Sequence, residues 1–353
     1  MKKFLIAATI LLLFFNVGFL VYKTQQEMPH LPPVAQDTPV NPIIPTDPEP
    51  VEPEKPQPKP EVVPIFVEVT VFRTSEQGSV YGDILSHSKD APFGDAHGRA
   101  TNSHETGHGI HSYLRNKYTS EMGKKVNGFY CLGGRGCIIE EPRIRKSDAN
   151  KFVPESLRSY RWSTYMTGQM AWDDTPLYIY DEWTAYVLGG KTNVDDVQNN
   201  RYKGGWTDGV SGCLGFSIYA TAICMAVKER DPAYWESNTQ FKNFTIWMLK
   251  EAHKTYMMGH TMDQFKWDKQ DKLLENLLTA PEGEPIRRFM RDHLEGDKHW
   301  LGTDKKILKA IFYEPHQTRD LPPNPRCFRC MDPNHEGHHE VTPAPLAEIP
   351  KLP

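Results

Sequence analysis

The distribution of proline sets the first limit on what this chain can fold into. Of its 29 prolines, thirteen fall between Pro29 and Pro64. A stretch that dense lacks backbone donors and apolar periodicity, so it cannot pack. It favours extended polyproline II, and residues 24–64 predict a tether reaching on the order of 100 Å at about 3.1 Å per residue. Docking of a proline-recognising partner is the other use of such a segment. Prolines return after Glu314, and residues 319–353 read as a loosely ordered tail. A folded body is thereby confined to residues 65–318, which is enough chain to bury a core.

The first residues bear on the compartment. Met1-Lys2-Lys3 is a short basic start, and Phe4 to Tyr22 is almost wholly apolar. That run is just long enough to span a bilayer, which takes about 20 residues. It exceeds the usual apolar region of a cleaved signal peptide, and no small-x-small cleavage site follows. Residues 1–23 therefore read as an uncleaved signal-anchor, with Lys2 and Lys3 cytoplasmic and the rest exported. A removed signal peptide is the alternative, and it also exports the body. The expected localisation is a membrane-anchored, extracytoplasmic domain, either periplasmic or extracellular. A net charge of -4 gives no basic surface, so nucleic acid is not an expected partner. Six cysteines are too few for a disulfide scaffold but allow one to three bridges.

Within the body, residues 66–72 read as a strand of β-branched and aromatic residues. A helix fits Thr101 to Tyr118, with Asn102 and Ser103 as candidate caps. Asp174-Thr175-Pro176 reads as the start of another helix, which should stop at Gly189-Gly190. Helical patterns follow over 210–230, 241–258, 268–278, 285–294 and 304–312. The expected fold class is α+β, mostly α, with a small N-terminal sheet and a helical C-terminal half.

The helix over 101–118 carries His104-Glu105-Thr106-Gly107-His108. Residues i and i+4 share a helical face, so the two imidazoles can hold one divalent ion. Zinc lowers the pKa of a bound water toward 7, and the adjacent Glu105 is placed to take its proton. Gly107 and Gly109 are poor helix formers and predict a close approach to the backbone there. A catalytic zinc needs a third protein ligand and an open position. His111 shares the face but lies about 10 Å along the axis from His104 at 1.5 Å per residue. It suits a supporting or substrate-contact role better than ligation. Glu182, mid-helix among aromatic and small residues, is the better candidate, since a carboxylate there is costly to bury unless paired or metal-bound. Asp181 is the runner-up, with Glu140 and Glu141 weaker. Tyr178 and Tyr186 lie one turn before and after Glu182, where a phenol can donate to an oxyanion.

His104-Glu105-x-x-His108 followed by a helical Glu182 resembles the zincin metallopeptidases in their glutamate-ligand branch. The glycine before the second histidine, with Glu182-x-x-Ala185-Tyr186 downstream, is similar to the catalytic domain of anthrax lethal factor and its relatives. The pattern departs from the metzincins, which need Gly at 111 and His at 114 where this chain has His111 and Leu114. The resemblance implies a zincin-like fold, one catalytic zinc on His104, His108 and Glu182, Glu105 as general base and a nearby tyrosine as oxyanion donor. A protein or peptide substrate follows from it. Two other readings stand beside this one. The domain could cut peptide or amide bonds in a cell wall, or it could be a non-catalytic anchored binding module.

The tail holds Cys327-Phe-Arg-Cys330, then His335, His338 and His339. This start resembles a zinc knuckle and gives a possible second, structural zinc site; a Cys327–Cys330 disulfide or unpaired thiols are the alternatives. Cys131 and Cys137 flank a glycine loop that a disulfide would close. Cys213 and Cys224 read as buried thiols that cannot pair along one continuous helix.

Overall fold

Three strands and eight helices form the described part of the protein, which in this computed structural model is residues 61–90, 98–168 and 174–303. The signal-anchor, most of the tether, the helix expected over 304–312 and the tail with Cys327, Cys330, His335, His338 and His339 lie outside the described residues. The protein is mostly helical with one small antiparallel sheet.

Strands β2 (Val126–Tyr130) and β3 (Arg135–Glu140) form a hairpin, and β1 (Val67–Glu68) pairs with the outer side of β3. The turn takes three consecutive left-handed residues, Leu132, Gly133 and Gly134, and two of the three are the residue type that adopts positive φ without strain. The strand expected over 66–72 is much shorter. Its partner begins at Arg135, so after the bond from Val69 N to Gly134 O (2.8 Å) there is no strand left to pair. The backbone turns away, and Phe72 N bonds Ser86 O at 2.8 Å, at the end of α1 (Val80–Ser86). The sheet is not N-terminal as a unit, because β2 and β3 follow α2 (Arg99–Met122), the helix that carries the histidines.

Helix α2 starts earlier than expected, at a Gly98 cap with φ of 81°. Asn102 and Ser103 therefore sit inside it and are buried. Asn102 Nδ2 donates to Tyr81 Oη (2.8 Å), and Ser103 Oγ meets Thr192 Oγ1 (2.8 Å), so both are satisfied across helices rather than as caps. Helix α3 (Leu177–Gln198) begins where expected, but its first amide is met by Glu141, whose Oε1 accepts from Leu177 N at 3.1 Å. Asp174 instead accepts from the backbone and hydroxyl of Ser147, both at 3.0 Å.

The expected stop at Gly189-Gly190 does not occur, and α3 runs on to Gln198. Both glycines are buried where neighbouring elements press closest. A Cβ on Gly189 would stand 3.0 Å from Ala100 O of α2, and one on Gly190 would stand 3.2 Å from Thr255 and 3.3 Å from Cys213. Each costs about 1 kcal/mol in helix propensity, and close packing of the helices offsets it.

The remaining helices are α4 (Gly209–Arg230), α5 (Pro232–Ser237), α6 (Thr239–Gly259), α7 (Asp268–Thr279) and α8 (Glu284–His293). Helix α4 is long and apolar enough to cross a membrane, but 94% of its apolar stretch is buried inside the protein, and it serves as the central core helix. Phe129 of β2 stacks on Phe244 of α6 at 5.1 Å, joining the sheet to the helical half. The chain enters along α6, where Gln240 bonds both the N–H (2.9 Å) and C=O (2.7 Å) of Ile65, and Val62 packs on the core.

Cys131 and Cys137 are free buried thiols, not a bridge. The register sets Cys137 opposite Phe129, while Cys131 N bonds Arg135 O, so the two are not cross-strand partners. Cys213 and Cys224 are free and buried on the single helix α4.

A Gly189→Val variant should lose about 1–3 kcal/mol of stability through overpacking against Ala100 O. A lower denaturation midpoint at unchanged slope in urea checks this.

Candidate metal centre

Helices α2 and α3 cross where their small residues meet. A Cβ on Gly107 would lie 2.9 Å from Leu188 Cδ1 and 3.9 Å from Ala185 Cα, so the glycine lets α3 come close. Gly109 is different: among the described residues the nearest group to a Cβ there is Asp90, at 3.9 Å. The crossing brings the second and third turns of α2, which carry His104 and His108, against the first turns of α3.

Three donor atoms converge there. His104 Nε2 and His108 Nε2 are 3.1 Å apart, and each lies 3.6 Å from Glu182 Oε2. All three fall within 4.8 Å of one another. Glu182 is 2% exposed, and among the described residues its Oε2 has no donor within hydrogen-bonding distance, the nearest being the two imidazoles at 3.6 Å. A buried acceptor without a close donor is costly, and a cation seated among it and the two imidazole nitrogens would relieve that cost. Two imidazoles and one carboxylate are the donor set of a three-ligand zinc site with a fourth position open. Glu105 is also buried, with Oε1 4.0 Å from His104 Nε2, close enough to serve the same centre.

Asp181 does not join the ligand atoms. Its Oδ1 accepts from His108 Nδ1 at 3.1 Å and from His111 Nδ1. His108 thus presents Nε2 to the centre and Nδ1 to a carboxylate, which fixes the tautomer and the ring plane. His111, 1% exposed, is too enclosed for a substrate contact and holds Asp181 from its other side. Glu140 pairs with Lys124 at 2.6 Å, and Glu141 caps α3 and accepts from Asn127, so both serve the fold.

The electrostatics of the metal-free cluster follow from this layout. Burial, reinforced by the charge of His108, pulls the His104 pKa well below its ordinary value. Burial also acts downward on His108, but the carboxylates of Asp181 and Glu182 overcome it and hold that imidazole well above the usual range. Burial would raise Asp181; the charges of His108 and His111 instead keep it well below the carboxylate range. Of the pair, His108 therefore holds a proton more readily than His104, and a metal must displace it.

The two tyrosines differ in surroundings. The Tyr186 ring meets His104 edge-on, with centroids 4.6 Å apart, and its hydroxyl is 3.1 Å from the hydroxyl of Tyr165. The Tyr178 ring carries the Lys146 ammonium at 4.6 Å and lies 6.4 Å from the Tyr165 ring. Tyr165 is the residue that sequence reasoning missed. Burial, and then the neighbouring Tyr186 and Glu182, push its pKa well above 10. It stands in a short π-helical turn, Ser163–Gly168, which has too few residues to show a periodic pattern.

No protein-family model, curated protein or solved structure matches this chain.

Asp181→Asn should weaken zinc binding about 10–100-fold with helix content unchanged, because the carboxylate orienting His108 is lost. Competition against a chromophoric chelator checks the affinity. Zinc affinity should also fall as pH drops, since His108 holds its proton to a higher pH than a free imidazole. Titration in buffers of different ionisation enthalpy should read about one proton released per zinc at pH 7.

Proposed function

We propose that this chain is a zinc-dependent metallopeptidase of the zincin type, in the glutamate-ligand branch, exported and tethered to a membrane. One observation carries the reading: two imidazole nitrogens and a buried carboxylate oxygen converge within 3.6 Å of one another. His104, His108 and Glu182 would hold the ion, which when bound supplies an activated water and a Lewis acid for a carbonyl.

The chain's own residues carry the remaining chemistry. Glu105 takes the proton of the attacking water and returns it to the leaving amine, a transfer that its place beside His104 allows. The hydroxyl pair of Tyr186 and Tyr165 offers a donor to the developing oxyanion. Asp181 and His111 keep His108 in register throughout. The expected substrate is a protein or peptide. The signal-anchor and proline tether would let the domain act at a distance from the bilayer.

Glu105→Gln should bind the same amount of zinc as the wild type and lose about 10²–10⁴-fold in kcat, the usual worth of a general base. Turnover on casein and on purified cell wall, read with zinc content by mass spectrometry, makes the test. Turnover on cell wall alone would keep the zinc centre and change the substrate class. Wild-type zinc without turnover on either substrate, or turnover that the variant keeps, would contradict the enzyme reading.

A further inference from the structure

Behind His104 lies a charge that has no part in the chemistry above. Arg161 is 0% exposed. Its Nη2 donates to the Asp208 carboxylate and to Asp208 O (3.1 Å), and its Nη1 donates to Ser211 Oγ at 3.2 Å. A buried ion pair of this kind adds little net stability, so its presence calls for another use. The guanidinium plane is spent on aromatic rings. It lies 4.4 Å from the centroid of Tyr160 and 4.5 Å from that of Tyr186.

Two groups pack on the Tyr186 ring: Phe216 stacks on it at 4.8 Å and 26°, and the Arg161 guanidinium lies over it, 4.5 Å from its centroid. Gly212 makes the room, since a Cβ there would stand 2.4 Å from Tyr186 Cδ1. The clamped ring then meets His104 at 4.6 Å and 78°, and its hydroxyl reaches that of Tyr165 at 3.1 Å. A lysine could replace the charge but not the plane, because an ammonium cannot stack between two rings.

We propose that Arg161 is a positioning residue of the metal centre: by clamping Tyr186 against Phe216 it fixes the ring plane of His104 and holds the Tyr186–Tyr165 hydroxyl pair in place. The inference rests on the reading of His104 as a metal ligand. It implies that the centre is set from two sides, with Asp181 behind His108 and the Arg161–Tyr186 clamp behind His104.

Two variants press on the clamp from different sides. Arg161→Lys removes the plane and keeps the charge, while Gly212→Ala pushes the Tyr186 ring and leaves the Arg161–Asp208 pair intact. Three readouts apply to the full chain: imidazole proton–nitrogen spectra without metal, visible absorption with cobalt(II), and kcat against KM. Both variants should shift the His104 signals and the cobalt bands. Both should lower kcat about 10–100-fold with KM within about twofold, the usual cost of losing support behind a ligand. Tyr186→Phe keeps the stack, so it should leave the His104 signals and cobalt bands in place while lowering kcat. Folded Arg161→Lys and Gly212→Ala proteins with wild-type His104 signals and cobalt bands would overturn the proposal. If Arg161→Lys does not fold, Gly212→Ala decides by the same readouts. A wild type that takes up no cobalt would overturn the metal reading instead, and the metal-free imidazole spectra would still decide the clamp.

Discussion

Glu182 is a carboxylate that the fold has taken out of water with no donor, among the described residues, closer than 3.6 Å to one of its oxygens. Withdrawing such a group costs several kcal/mol unless something positive meets it. The two nearest partners are imidazoles 3.6 Å away, and burial, with the charge of His108, holds the pKa of His104 well down. A proton on one imidazole is a poor substitute for a divalent ion in that space. The rest of the site follows from keeping these three groups together. Gly107 and Ala185 let the two helices approach, Asp181 turns His108, and the clamped Tyr186 backs His104.

The same crossing explains why the helical half is built as it is. Helix α3 must present Asp181 and Glu182 on one side to α2 and its opposite side to α4 and α6. That demand leaves it buried along most of its length. Glycines at 189 and 190 serve this double packing, one against α2 and one against α4 and α6. The core then ties the centre to distant parts of the chain. Tyr180, one residue before Asp181, is buried, and its hydroxyl bonds Thr245 of α6 at 2.8 Å. Side chains that face the candidate centre and side chains that fill the core are neighbours on one helix, the support that a preorganised site needs.

Much of this was legible in the sequence, for physical reasons. The long helices showed their apolar periodicity, and the spacing of His104 and His108 assigned them to one face regardless of the helix's exact ends. Glu182 stood out because a charge among aromatics needs a reason. Four features were not legible. The strand from 66 ended early because its partner did, a non-local fact. Gly189-Gly190 read as a stop because local propensity was all the sequence offered, and tertiary contact overrode it. Arg161 and Tyr165 lie in short irregular turns between 155 and 168, where no periodicity marks which side chains face inward. Cys131 and Cys137 looked like a bridge until the hairpin register set them apart.

The central claim is that one ion belongs among His104, His108 and Glu182, and it can be tested by location rather than activity. Crystals saturated with zinc, measured above and below the zinc absorption edge, should show an anomalous peak within roughly 2.0–2.2 Å of His104 Nε2, His108 Nε2 and a Glu182 carboxylate oxygen. The same measurement on Glu182→Ala should show that peak much weakened or lost. Zinc-saturated wild-type crystals with no peak between those three side chains would contradict the account.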